Sequence, residues 1–185
     1  MSPPRNRPVK KMPTKIQALL RDVQEHASHE KCVVFSFWTT TLDVIQTGLQ
    51  QLDLAFVRFD GNVRAKDKAK VLDAFAGDPA VRIALLTISC GAVGLDLTAA
   101  SRAYLMEPHW NPSVEEQALA RIYRIGQRRP VTTVRYIMRN TLEEHVLKVQ
   151  KRKNLLVQSL LSEEQEADAV TGLSRLEQLR VLLQD

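Results

Sequence analysis

Three stretches carry residue types that could do chemistry. In QALARIYRIGQRRPV (117–131), Gln117, Arg121 and Arg124 recur at i, i+4 and i+7, one face of a helix, with Gly126 placed to end it and Gln127 in the turn beyond. Two guanidinium groups on one face make a planar, permanently charged fork for phosphate oxygens. Aimed at a transferring phosphoryl group, such an arginine is worth ~10³–10⁵ in rate. The same spacing suits a solvated or ion-paired basic face, the commoner use of such helices. In SCGAVGLDLTAA (89–100), small residues at Cys90, Gly91, Ala92 and Gly94 let the backbone approach a ligand, and Asp96 can accept from a sugar hydroxyl. Its glycines are not spaced as GxGxxG, so the dinucleotide fingerprint fails, and a tight strand-to-helix turn is the commoner use of such a stretch. FSFWTT (35–40) ends a strand with hydroxyls and an indole, suited to a nucleic-acid backbone or to packing on the next helix. Asp60-Gly61-Asn62 has the composition of a turn.

These residues need a scaffold, and the hydrophobic periodicity supplies one. Helical spacing covers 14–29 (Thr14 as cap), 40–52, 64–76, 113–124 (Ser113 as cap, Glu115 and Glu116 in the first turn) and 141–161 (Thr141 and Glu144 as a capping box). Short apolar runs at 31–36, 54–59, 82–87, 102–107 and 132–138 read as strands between them. The alternation predicts an α/β, doubly wound, mostly parallel sheet with helices on both faces. Ligands then bind at the carboxyl ends of the strands, which singles out loops 36–40, 60–64, 87–97, 108–112 and 125–130. SEEQEADAVTG (162–172) reads as an acidic linker, and GLSRLEQLRVLL (172–183) as a short amphipathic helix.

Composition narrows the function classes. The 185 residues are 44% hydrophobic, 25% charged and 5% aromatic, ordinary for one globular domain and poor for an aromatic-rich β-sandwich. The net charge of +5 is unevenly spread: residues 1–15 carry +5, 16–117 −4, 118–153 +8 and 154–185 −4. An anionic partner is the natural match for 118–153. Cys32 and Cys90 have neither CxxC spacing nor histidine partners, so two reduced, buried thiols are expected rather than a disulfide or a metal site. No apolar run is long enough to span a bilayer, and MSPPRNRPVKKMP reads as a flexible basic arm rather than a secretory signal.

The order of the motifs is more specific than any one of them. FSxW, then DG, then GxVGLDLT, HWNP and QxxxRxxRxGQ follow one another at successive elements. From about Thr14 to about Leu156 this resembles the second RecA-like lobe of the Swi/Snf-type, superfamily two DNA-dependent ATPases. TAASRAYLMEPHWNP is most similar to fungal members of the helicase-like transcription factor and DNA-damage-tolerance branch. The resemblance implies a RecA-like fold. It implies arginine fingers at Arg121 and Arg124, and nucleotide-positioning roles for Gly94, Asp96, Gln117 and Gln127. It places Ser36, Trp38, Asp60, Gly61, Thr87, Trp110 and Asn111 along DNA or the lobe interface. Asp96 stands where most members carry Asn, keeping the acceptor and losing the amide donor. Phe37, Ser89 and Ala92 replace a usual glutamine, lysine and glycine, and the lysine loss removes one phosphate contact.

The resemblance also implies partners: double-stranded DNA, a first RecA-like lobe in cis or in trans, chromatin proteins, no membrane, and a nuclear setting. The domain layout expected is a basic arm (1–13), the lobe (14–156), and an acidic linker with a terminal helix (157–185). No GxxxxGK[ST] occurs in these residues, and TLEEH (141–145) lies in an amphipathic helix rather than at the end of an apolar strand. No metal site is expected, and ATP and Mg²⁺ are expected only when a first lobe is paired with this one. Alone, the chain is expected not to hydrolyse ATP. The alternative is a non-enzymatic DNA- or protein-binding remnant of such a protein. No ring-type cysteine pattern of a ubiquitin ligase is present in these residues.

Overall fold

A computed structural model describes residues 12–61, 63–92 and 94–165. Its five strands are β1 (Cys32–Ser36), β2 (Phe56–Phe59), β3 (Ile83–Thr87), β4 (Arg102–Leu105) and β5 (Thr132–Arg135), all parallel, in the order β2-β3-β1-β4-β5. The expected doubly wound α/β sheet is present, and its strand composition explains it. CVVFS and IALLT are buried at every position, so β1 and β3 can lie only inside a sheet covered twice. Successive side chains alternate. Cys32 and Val34 join Ile83, Leu85, Tyr104 and Met106 on one face, and Val33 and Phe35 join Ala84, Leu86, Ala103 and Leu105 on the other.

The first face is covered by α1 (Thr14–His26) and α2 (Thr39–Gln51), through Ile16, Leu19, Leu20 and Val23 of one and Leu42, Ile45 and Leu49 of the other. The two helices approach closely at Gly48, where a Cβ would meet Leu20 Cδ1 at 2.5 Å. The second face is covered by Phe75 of α3 (Ala65–Gly77), Ala118 of α4 (Pro112–Leu119), and Leu95, Leu97 and Ala100 of the link from β3 to β4. That link is a short 3-10 turn, Ile88–Ala92, followed by an extended run rather than an α-helix. The last element, α5 (Leu142–Gln165), seats Val146 and Gln150 against the body.

Several local expectations are corrected. Strands β2, β4 and β5 are shorter than the apolar runs suggest. α4 is capped by Asn111, whose side chain accepts from Ser113 N at 3.2 Å, not by Ser113; Pro112 takes the first helical position, where its fixed φ is an advantage. α1 starts after Pro13 with no side-chain cap from Thr14. At α5, Thr141 Oγ1 does accept from Glu143 N, but the carboxylate that reaches back is Glu143 rather than Glu144: it accepts from Met138 N at 2.8 Å and pairs with Lys15. α5 also runs past 161 and crosses the 156/157 boundary unbroken.

Both cysteines are free; Cys32 is buried, with its thiol pushed up to about 12 by desolvation, while Cys90 is only half-buried. No described helix is long and apolar enough to cross a membrane. Residues 1–11 of the basic arm, Asn62, Val93 and residues 166–185, including the amphipathic run 172–183, lie outside the described residues.

Candidate functional site

Two groups of side chains emerge, at different places on the sheet. The first gathers at the carboxyl ends of β1, β2, β3 and β4. Ser36 Oγ donates to the Glu107 carboxylate at 2.9 Å, Phe37 N donates to the same oxygen at 3.0 Å, and Ser36 Oγ in turn accepts from Trp38 N at 3.1 Å. This clamp presents Phe37 and Trp38 outward, and Trp38 is 58% exposed. The Phe37 ring meets Trp38 edge-on at 4.8 Å and leans on His109 at 5.3 Å. Trp110 is 47% exposed beside them, and Asn111 and Gly61 are exposed too.

Three residues expected at the interface turn inward instead. Ser36 and Thr87 are buried, and Thr87 Oγ1 donates to Cys90 Sγ at 3.1 Å. Asp60 is buried at the end of β2 and accepts from Arg58 Nε at 2.7 Å, while Arg58 also reaches Asp43 and Gln46 of α2. These side chains set the positions of the loops rather than their surface.

The second group is built on the β3–β4 link and the turn after α4. Here the one-face arrangement of Gln117, Arg121 and Arg124 is corrected: α4 ends at Leu119, so Gln117 is helical while both arginines sit in a run of tight turns. A long-range bond holds these turns in place: Leu97 N donates to Arg121 O at 3.0 Å. The Gln127 amide then donates to Thr98 O at 3.1 Å and Ala100 O at 2.7 Å, and reaches Ile122 O at 3.4 Å. Gly126, at φ +107°, makes the reversal between them. Loop 125–130 therefore leads to the amino end of β5, where Thr132 N bonds Ser101 O, and not to the carboxyl ends as expected.

This construction lays Arg124 beside Leu95, its Nη1 3.5 Å from the carbonyl, with its charge acting on Asp96. Asp96 is exposed and its Oδ1 accepts from Thr98 Oγ1 at 2.7 Å and Thr98 N at 3.0 Å. Those bonds, the hydroxyl first, hold the carboxyl below its ordinary value of 3.8. A depressed carboxyl stabilises the fold above its ordinary value, and that contribution is lost as pH falls through the lower native value. Thr98→Val is expected to move the Asp96 pKa upward in an NMR titration of its side-chain carboxyl; an unmoved pKa contradicts the assignment. Gly94, Gln117 and Arg124 are exposed near this segment, and Arg121 is half-buried. Gln127, expected to position nucleotide, has its amide engaged by protein carbonyls instead.

Sequence reasoning missed the carboxylates that hold these groups in place. Glu107 clamps β1 to β4 across 71 residues. Glu115, expected only as a first-turn acid, is 1% exposed. Its oxygens accept from His109 N at 2.7 Å, from Gln150 Nε2 at 2.6 Å and from Arg135 Nη2. Among the described residues, no three of His, Cys, Asp or Glu come together in a way that could hold a metal ion.

Comparison with known proteins decides the family. Residues 14–126 match the family model described as the helicase conserved C-terminal domain. The chain belongs to that helicase C-terminal domain family. Its relatives place it in the Swi/Snf-type, superfamily two branch. It is 42% identical to DNA repair protein RAD5B of Arabidopsis thaliana, over 88% of this chain and 12% of that protein. It is 39% identical to DNA repair protein RAD5 of Candida albicans over 93% of this chain and 16% of that protein. Against DNA repair protein rad8 of Schizosaccharomyces pombe, identity is 41% over 76% of this chain and 12% of that protein. The fold of the crystallised C-terminal part of the Fun30 ATPase domain superimposes with a TM-score of 0.71 at 29% identity, covering 74% of this chain and 44% of that one. The helicase C-terminal domain described here is thus RecA-like, and it spans 12–16% of the curated relatives it matches.

Proposed function

We propose that this domain is the second lobe of an ATP-dependent double-stranded DNA translocase acting in nuclear DNA repair. The observation that supports it most is the locked turn: Gln127 and Leu97 hold a backbone that presents Arg121 and Arg124 next to the segment carrying Gly94 and Asp96. In a family member, that is where a phosphate fork and a sugar acceptor are needed together. Arg121 and Arg124 act as arginine fingers across a cleft, and Gly94, Asp96 and Gln117 orient nucleotide. Gln127 acts through the turn it fixes.

Among the described residues no group of His, Cys, Asp or Glu fits a Mg²⁺ site, and no GxxxxGK[ST] occurs in the sequence. In this proposal the triphosphate and its metal ion rest on a first lobe, joined in cis or supplied in trans. Trp38, Gly61, Trp110 and Asn111 face the DNA or the lobe interface, with Ser36, Asp60 and Thr87 supporting them from within. Lobe closure and opening then step the protein along the backbone.

The DNA part is tested by duplex binding of this chain across a salt series. Phosphate contact gives a log–log slope of about −0.9 per contact. A steep decline in affinity with salt is expected; a flat response removes phosphate contact from the account.

A further inference from the structure

The basic residues of α5 have no part in the site above. From His145 to Ser162 the sequence holds no Asp or Glu, and Lys148, Lys151, Arg152 and Lys153 fall inside that run. The helix packs through Val146 and Gln150, which are buried. Lys148, Lys151 and Arg152 occupy the opposite side and are exposed. Among the described residues, no ion pair holds any of the three. Glu144, one turn before Lys148, is the next acid toward the helix start.

The neighbouring residues fix where the helix lies. Lys153 Nζ donates to Trp110 O at 3.0 Å, and Gln150 Nε2 donates to His109 O. The His145 ring meets Trp110 edge-on at 6.2 Å. α5 is therefore seated alongside His109 and Trp110, and Lys148, Lys151 and Arg152 line its outer, solvent-facing side. Lys148 and Arg152 are one helical turn apart, about 6 Å, close to two axial steps of one DNA strand.

We propose that Lys148, Lys151 and Arg152 form a second phosphate-binding track for duplex DNA, carried on the helix that packs beside Trp110. The inference rests on the reading that Trp110 and Asn111 meet DNA. A duplex suits the observations better than an acidic peptide, because the cations recur at turn spacing along a rigid helix whose His145 packs on the exposed Trp110.

The test is fluorescence anisotropy of the full 185-residue chain with a labelled duplex. A variant carrying Lys148→Gln, Lys151→Gln and Arg152→Gln is expected to flatten the salt slope by about 2 to 3 units, so that wild type loses roughly 40-fold more affinity than the variant between about 50 and 200 mM salt. Lys148→Arg with Lys151→Arg is expected to keep the wild-type slope, and a melting curve confirms that each variant is folded. If the triple variant keeps the wild-type slope while Trp110→Ala weakens binding, the track is refuted and the DNA reading stands. If wild type shows no salt-dependent duplex binding, both fall. If the triple variant loses binding to a polyglutamate peptide but not to duplex, α5 is a protein-docking face and the proposal is overturned.

Discussion

Arg124→Ala in a fusion of this domain to a matching first lobe is expected to lower DNA-stimulated ATP turnover by ~10³-fold or more, the worth of an arginine finger. The size follows from the chemistry proposed for it. Charge develops on the phosphoryl oxygens in the transition state, inside a closed cleft where a fixed cation is screened little. Arg124 is exposed here, with only a 3.5 Å contact to Leu95 O, so its removal costs the fold little. Lost turnover with an unchanged melting temperature then reports function. Arg121→Ala is expected to be as damaging, but Arg121 is half-buried and its backbone carbonyl is tied to Leu97, so its stability must be measured beside its rate. Arg124→Lys is not expected to restore the rate, because an ammonium cannot reproduce the planar, two-pronged donor. Turnover unchanged in both alanine variants would remove the arginine-finger assignment.

The largest stability effect is expected at Glu115. Its carboxylate is buried and gathers His109 N, Gln150 Nε2 and Arg135 Nη2, so three segments converge on one side chain. Glu115→Ala leaves a buried amide N–H and a buried carboxamide without an acceptor. Breaking such a buried, hydrogen-bonded pair from one side costs about 3 kcal/mol, with Arg135 contributing less because it remains partly in water. For a chain of this size that is a fall in melting temperature of about 6–12 °C. Glu115→Gln keeps one acceptor oxygen and is expected to lose about half as much. The same change frees the 109–111 segment, so affinity for duplex should fall with stability in the alanine variant. A loss below about 1 kcal/mol by thermal unfolding would show that the network is not what holds α4, β5 and α5 together.

The sheet was legible because strands buried on both faces leave an unmistakable apolar signature, as in CVVFS and IALLT. The edges were less so: Leu54, Ile137 and Met138 are apolar without lying in a strand. α4 illustrates a sharper limit. The spacing of Gln117, Arg121 and Arg124 is helical, yet the helix ends at Leu119, where Leu97 N takes the Arg121 carbonyl and the Gln127 amide ties the turn to Thr98 O and Ala100 O. Those partners come from a link 20–30 residues upstream, and no local periodicity encodes them. The motif residues were found by type and order. Their division into exposed Trp38 and Trp110 against buried Ser36, Asp60 and Thr87 needed the tertiary fold. Glu107 and Glu115 had no signal beyond their charge, since what makes them structural is a partner 71 residues away in one case and 20 and 35 in the other.

The central claim, that this lobe supplies half of a DNA-stimulated ATPase, is tested most directly by reconstitution. ATP hydrolysis is measured with and without duplex DNA for this chain, for a matching first lobe, and for the two together or fused. The account predicts negligible turnover by either part and DNA-stimulated turnover by the pair, lost again when the pair carries Arg124→Ala. Turnover by this chain alone, or a fused pair that folds and binds DNA yet hydrolyses no ATP, would contradict it.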